Sequence, residues 1–224
     1  MLKAVVFDLD DTLYPEWTFV KSGCDAVGEW CRKELGLEEF AATAFRVYQS
    51  GVRGRIFNRT LELLQISYDA ALIDKLVTVY REHRPRLALF DDARMVLTRL
   101  QRQYRLGLIT DGAYQVQQHK IDALAIASCF DIMVLTDRYG RSCWKPAQFA
   151  YQKVMETLGY LGRECVYIGD NPQKDFITAK GLGWRTIRIR RVDTEYAELT
   201  MDPDHEAEVE LTSLEKVPEI IIRF

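Results

Sequence analysis

Leu2-Lys3-Ala4-Val5-Val6-Phe7-Asp8-Leu9-Asp10-Asp11-Thr12 opens the chain with a short apolar run that ends in acidic residues. A run of this length reads as a strand buried on both faces of a parallel sheet. Open α/β sheets bind their ligands outside the carboxyl ends of the strands, which is where Asp8, Asp10 and Asp11 fall. Like charges crowded at such a tip are costly unless a cation or a proton is shared. A divalent metal with a phosphate-type substrate makes that acidity tolerable.

Three further segments extend the pattern. Leu106-Gly107-Leu108-Ile109 runs into Thr110-Asp111-Gly112, a second strand tip with a hydroxyl and a turn glycine. Cys143-Trp144-Lys145-Pro146 offers a lysine just ahead of a helix expected to begin at Ala147. Cys165-Val166-Tyr167-Ile168 ends in Gly169-Asp170-Asn171-Pro172-Gln173-Lys174-Asp175. Asp-x-Asp-x-Thr, then Thr, Lys and Gly-Asp-x(4)-Asp in this order resembles the haloacid dehalogenase (HAD) superfamily, with all its motifs present between Asp8 and Asp175. Taken alone, Asp111-Gly112 reads as a turn and Lys145-Pro146 as an ordinary helix start. The resemblance rests on their occurring together, each at a strand end or helix start.

Composition agrees with an enzyme of one good-sized domain, or a core with a smaller appended one, in 224 residues. A formal net charge of −3 gives no general attraction to nucleic acid polymers or anionic membranes. No apolar run reaches membrane-spanning length, and the N-terminus enters a strand with no signal-peptide pattern. The five cysteines are an odd number without a C-x-x-C pair, which argues against a disulfide framework and a zinc site. The expected location is cytoplasmic, and the expected assembly a monomer or homodimer.

Strands are expected at 2–8, 104–110, 131–136, 164–169 and 186–190, alternating with helices from about residue 104, the signature of βαβ units. Helical patterns cover 18–35, 38–49, 56–64, 69–83 and 91–103. The expected fold is α/β: a Rossmann-like, mostly parallel sheet core of residues 1–14 and 88–224, carrying an inserted all-helical unit of residues 15–87. The resemblance implies that this insertion is a C1-type cap. Trp17, Phe19 and Trp30 read as core residues and Asp202–Glu210 as a solvated loop. The terminal 218–224 segment either closes the sheet edge or packs on the core.

Phosphoryl transfer asks for a nucleophile, a proton donor, charge neutralisation and a metal. Asp8 is the candidate nucleophile, since a carboxylate attacking phosphorus gives an aspartyl-phosphate. Mg²⁺ suits the site, being a hard ion usually held by one or two carboxylates with substrate oxygens and water. Asp170 is the second carboxylate for it. The resemblance implies the backbone carbonyl of Asp10 as a third ligand, with the Asp10 side chain as general acid and then general base. Thr110 and the backbone N–H groups of Asp111 and Gly112 are expected on phosphoryl oxygens, with Lys145 neutralising transition-state charge. Asp175 is expected to orient Lys145 or a water on the metal; Asn171 stands beside it or simply turns the loop before Pro172. Four carboxylates (Asp8, Asp10, Asp170, Asp175) against Lys145 leave the bare site short of three positive charges.

Superfamily members that cleave carbon–halogen bonds do not need the acid two residues past the nucleophile, so Asp10 favours phosphoryl chemistry. The expected function is Mg²⁺-dependent hydrolysis of a small-molecule phosphate ester, a nucleoside monophosphate or sugar phosphate. A phosphomutase and a phospho-accepting or non-catalytic interaction protein are the alternatives. With Phe7-Asp8-Leu9-Asp10-Asp11-Thr12-Leu13-Tyr14 and Gln117-x-x-Lys120-Ile121-x-x-Leu124, the chain resembles the nucleotidase and sugar-phosphatase-like branch of the superfamily. Within the insertion, Gly51-Val52-Arg53-Gly54-Arg55 is the candidate substrate loop: its glycines permit a tight turn, and Arg53 and Arg55 suit an anionic or polyhydroxyl leaving group. The competing reading is a connector with solvated arginines.

Overall fold

The computed structural model describes residues 1–224. Strands β1 (Ala4–Phe7), β2 (Arg105–Thr110), β3 (Ile132–Leu135), β4 (Cys165–Gly169), β5 (Arg185–Ile189) and β6 (Val209–Leu211) form one sheet in the order β3-β2-β1-β4-β5-β6. All adjacent strands are parallel. The chain winds outward from β1 through β2 to β3, then returns to β4 on the other side of β1. That reversal opens a crevice between β1 and β4, where open α/β sheets bind ligands. Phe7 lies level with Ile168, and the Asp8 N–H donates to the Ile168 carbonyl (2.8 Å), so Asp8 and Asp170 emerge together at the crevice.

Two compact units are present: Met1–Glu16 with Ala88–Phe224, and Trp17–Leu87. The second unit is built on α1 (Glu16–Leu35), α2 (Phe40–Gln49), α3 (Ile56–Leu63) and α4 (Ala70–Glu82), and contains no strand. The first unit carries α5 (Asp91–Leu100), α6 (Tyr114–Leu124), α7 (Phe149–Leu158), α8 (Ile177–Gly181) and α9 (Val217–Ile221). No helix is long and apolar enough to cross a membrane.

In the first unit, Val6, Ile109, Val134 and Val154 pack with the rings of Tyr151, Tyr167 and Trp184. Tyr151 meets Tyr167 and Trp184 edge-on, at centroid distances of 5.2 and 5.6 Å. In the second unit, α1 presents Val20, Cys24, Val27 and Cys31 along one face, where they join Phe40, Leu61 and Leu76. These cysteines therefore serve as small apolar core residues, and all five cysteines are free.

The structure corrects several sequence expectations. The helix after Lys145 starts at Phe149, because the Ala147 N–H closes a turn onto the Trp144 carbonyl (2.9 Å) before the helix begins. Trp17 is 47% exposed and is not a core residue, unlike Phe19, which is buried against Tyr80 and His83. The acidic stretch is not a free solvated loop. Glu206 accepts from the buried Arg188 (3.0 Å), Glu208 accepts from the Thr186 N–H (3.0 Å), and residues 209–210 enter β6. It is β6 that closes the sheet edge, while α9 buries Val217, Pro218 and Ile221.

Gly28 on α1 shows how closely the helices of the second unit approach. A Cβ added there would lie 2.5 Å from the Ala41 Cβ and 2.9 Å from its backbone nitrogen. Glycine to alanine in a helix normally gains roughly 0.5–1 kcal/mol. At Gly28 the sign reverses: Gly28→Ala is expected to destabilise by about 1–3 kcal/mol through overpacking, read as a lower urea midpoint with an unchanged slope.

Candidate active site

Asp8, at the tip of β1, is 4% exposed and accepts from Lys145 Nζ through Oδ1 (2.5 Å). Lys145 also donates to Asp175 Oδ1 (2.8 Å) and Tyr167 Oη (2.8 Å), so its three N–H bonds are all committed. Burial opposes the lysine's charge, but Asp175 and Asp8 outweigh it and hold its pKa well above the usual range. The other Asp175 oxygen takes the Asn171 N–H (3.0 Å). Both oxygens of this fully buried carboxylate are thus occupied. Gly169 makes room for it: a Cβ there would lie 2.4 Å from Asp175 Oδ2.

Asp170 is buried and its Oδ2 has no hydrogen-bond partner. Burial, reinforced by Asp175 and Asp8, pushes its pKa well above the ordinary value. Asp8 is pushed up to about 7 by burial, which the opposing Lys145 only partly offsets. Carboxylate oxygens of Asp8, Asp170 and Asp175 lie within 4.8 Å of one another. An orphaned buried oxygen and two carboxylates that favour a proton make a donor set that fits a hard divalent cation such as Mg²⁺. Asp8 and Asp170 are the side chains free to hold it.

Asp10 follows at 21% side-chain exposure and is not free. Its Oδ1 accepts from Tyr14 Oη (2.5 Å) and Lys120 Nζ (2.6 Å), and its Oδ2 from Gln117 Nε2 (3.0 Å). Burial raises its pKa, but Lys120 and these hydrogen bonds pull it below the usual carboxylate value. The charge count made with Lys145 alone therefore needs correcting, since Asp10 has a lysine of its own. Asp11 adopts a left-handed backbone (φ 52°) and its Oδ1 accepts the Glu16 N–H (2.9 Å), starting α1.

Thr110 is buried at the tip of β2, its Oγ1 accepting from Gln117 Nε2. Asp111 braces the neighbourhood with its side chain: Oδ1 accepts from Thr136 Oγ1 (2.7 Å) and the Lys145 N–H (3.2 Å), Oδ2 from Lys174 Nζ (3.2 Å). Asn171 turns the loop, its Oδ1 taking the Gln173 N–H (2.9 Å). Asp8, Asp10, Asp170, Gly112, Trp144 and Lys174 line a pocket of about 230 Å³, to which Glu195 and Tyr196 also contribute. Tyr196 is held through its carbonyl by Arg188, which is fully buried. Its Nη2 donates to the carbonyls of Tyr196 (2.8 Å) and Leu199 (2.9 Å), and its Nε to that of Asp170 (3.2 Å).

The structure therefore brings Asp8, Asp10, Thr110, Asp111, Gly112, Lys145, Asp170, Asn171 and Asp175 to one strand edge. Arg53 and Arg55 lie in the other unit. Gly51 and Gly54 have positive φ (88° and 74°), as the tight loop requires. Arg53 donates to the Tyr48 carbonyl (2.8 Å) with its guanidinium 4.1 Å from the Tyr48 ring centre, which braces its own loop. Arg55 is exposed at the start of α3. Sequence reading missed the roles of Tyr14, Gln117, Lys120, Lys174, Tyr167 and Arg188. Gln117 and Lys120 carried a usable signal, because residues three apart share a helix face.

A model of the haloacid dehalogenase-like hydrolases matches residues 5–189. The chain belongs to this family. It is 28% identical, over 232 aligned positions, to a glyceraldehyde 3-phosphate phosphatase of Methanocaldococcus jannaschii, covering 99% of this chain and 97% of that one. Over 89 positions it is 35% identical to N-acylneuraminate-9-phosphatase of Mus musculus, covering 40% and 35% of the two chains. The HAD hydrolase YfnB of Bacillus subtilis, solved with magnesium, superposes with a TM-score of 0.74 at 19% identity and 98% coverage of both chains, a likeness of fold. This HAD protein is a phosphoric monoester hydrolase.

The raised Asp8 pKa makes metal binding compete with protons. Below about 7 the folded HAD site holds a proton that the unfolded chain, with an ordinary carboxylate pKa near 3.9, has already lost. Folding stability without metal from this group is therefore lost as pH rises between those values. Mg²⁺ should restore it above that window, raising the melting temperature more at pH 8 than at pH 6. Thermal melts at both pH values with and without Mg²⁺ measure the difference; an equal shift contradicts Asp8 as a ligand.

Proposed function

We propose that this HAD phosphatase hydrolyses the phosphomonoester of a small metabolite through an aspartyl-phosphate on Asp8, with Mg²⁺ as cofactor and a sugar phosphate as the favoured substrate class over a nucleoside monophosphate. The observation that carries this reading is the pair of carboxylates, Asp8 and Asp10, held two residues apart at one strand tip by different lysines. The relatives named as phosphatases of glyceraldehyde 3-phosphate and an acylneuraminate 9-phosphate support the sugar-phosphate class. We place the helical unit of residues 17–87 in the role of a cap that selects the leaving group, and the site in the cytoplasm.

Asp8 Oδ attacks phosphorus, and the bond from phosphorus to the ester oxygen breaks. Asp10, ionised in the free site, takes up the proton carried by a monoanionic phosphate ester and gives it to the departing alkoxide. Asp10, now ionised, then takes a proton from water as that water's oxygen attacks the phosphoryl group, releasing inorganic phosphate and regenerating Asp8. Lys145, poised against Asp8, neutralises charge on the phosphoryl oxygens, and Thr110 donates its hydroxyl hydrogen to one of them. When bound, Mg²⁺ would be held by Asp8, Asp170 and the Asp10 backbone carbonyl, and would supply positive charge between an anionic nucleophile and an anionic phosphate.

Asp8→Asn should abolish turnover while leaving the circular dichroism spectrum of the folded protein intact, because an amide of nearly the same shape is a poor nucleophile. Phosphate release from a sugar phosphate at near-native rate would sink the covalent route. Asp10→Asn should cost about 10²–10⁴ in kcat on an alkyl phosphate. Its loss in kcat/KM on an aryl phosphate, whose leaving group departs without a proton, should be much smaller. Equal losses on both esters would remove Asp10 from the acid's role. Treatment with a chelator should stop turnover and Mg²⁺ should restore it, as followed by phosphate release.

A further inference from the structure

The helix α6 carries two buried polar side chains that the reaction above does not use. Gln117 and Lys120 are 1% and 3% exposed, three residues apart, and face the β1 tip. A buried ammonium is costly unless paired, and Lys120 meets Asp10 Oδ1 at 2.6 Å, with the Glu16 carboxylate further off at 3.8 Å. Tyr14 Oη shares that Asp10 oxygen at 2.5 Å. Gln117 divides its amide between Asp10 Oδ2 (3.0 Å) and the Thr110 hydroxyl oxygen. Asp8 and Asp10 point to opposite cations: Lys145, ahead of α7, for the first and Lys120 on α6 for the second.

We propose that Lys120 and Gln117 are positioning residues for the phosphatase reaction. They hold the Asp10 carboxyl apart from Asp8, at a fixed rotamer for proton transfer with the leaving oxygen. Gln117 also fills a lone pair of Thr110 Oγ1, leaving the hydroxyl hydrogen for a phosphoryl oxygen. Without Lys120 the Asp10 carboxylate loses the cation that keeps it from turning toward Lys145 and the metal carboxylates. The inference rests on the phosphatase reading, and goes beyond it by assigning how the proton-transfer group is aimed.

A residue that merely pinned α6 to the β1 tip would lower stability without distinguishing one leaving group from another. Lys120→Met and Lys120→Arg are therefore compared with wild type in Mg²⁺, on glycerol 3-phosphate and on 4-nitrophenyl phosphate. For both esters kcat/KM reports events up to phosphoryl transfer to Asp8. Lys120→Met should lower kcat/KM on the alkyl ester at least tenfold more than on the aryl ester, and Lys120→Arg should recover part of that ratio. Placed on an Asp10→Asn background, Lys120→Met should add less than threefold, because it acts through Asp10. Gln117→Leu should cost both esters, since it also releases Thr110.

An unchanged alkyl-to-aryl ratio in Lys120→Met overturns the proposal, as does full additivity with Asp10→Asn. A silent Gln117→Leu removes Gln117 from it. If Lys120→Met fails to fold, as judged by circular dichroism, the Lys120→Arg ratio and the Asp10→Asn/Lys120→Arg cycle decide by the same criteria. Wild-type protein that hydrolyses neither ester defeats the phosphatase reading and this inference with it, an outcome separable from wild-type turnover with an unmoved ratio.

Discussion

The structure depends on making concentrated negative charge tolerable inside a crevice shut off from most of the solvent. Asp8, Asp10, Asp111, Asp170 and Asp175 converge there, and each except Asp170 is met by a lysine. Those lysines come from separate elements: Lys120 from α6, Lys145 from the turn before α7, Lys174 from the loop after β4. A buried pair gains little over an apolar replacement, but losing one partner costs roughly 3–5 kcal/mol because the other is stranded. The elements around the sheet are thus tied to each other through the reacting groups. Asp170 remains with an unanswered oxygen, and the architecture concentrates the demand for a metal at that atom.

Backbone features deliver these groups, and they work by leaving space. Gly169 ends β4 without a side chain so that Asp175 can fold back against the strand and reach Lys145. Gly112, with φ of 123°, turns the chain after β2 and clears room for the Gln117 amide. Arg188 then fixes the far wall. By taking the carbonyls of Asp170, Tyr196 and Leu199 together, it ties the strand tip that carries Asp170 to a segment that lines the pocket.

Strands β1, β2 and β4 were legible because each is an uninterrupted apolar run, and their acidic or hydroxyl tips were legible because nothing stabilising explains them. β6 was not: Val209-Glu210-Leu211 is too short to form a run, and it pairs only because β5 presents an open edge beside it. Asp8 and the Lys145 that meets it could be read from motif order. Lys120 stands in a recognisable motif, but a sequence does not say which side of a helix faces a strand tip. Arg188 was hidden more deeply. An arginine in Arg185-Thr186-Ile187-Arg188-Ile189 looks like an outward-facing charge, and it is the Glu206 carboxylate together with the carbonyls of Asp170, Tyr196 and Leu199 that makes its burial tolerable. Arg53 was picked out by its residue type beside two glycines, and the structure adds that it donates to the Tyr48 and Val52 carbonyls of its own loop.

The sheet's two ends carry a further consequence. β3 has four residues and β6 three, so neither border offers a long row of free main-chain donors and acceptors. On the β6 side, Glu210 pairs with Arg190 at 3.0 Å, placing a charged couple where another strand would have to dock. A parallel sheet this apolar in its centre would otherwise be a template for strands of other molecules during and after synthesis. Brevity and charge at the borders let the protein keep a nearly uninterrupted apolar centre while resisting edge-to-edge polymerisation.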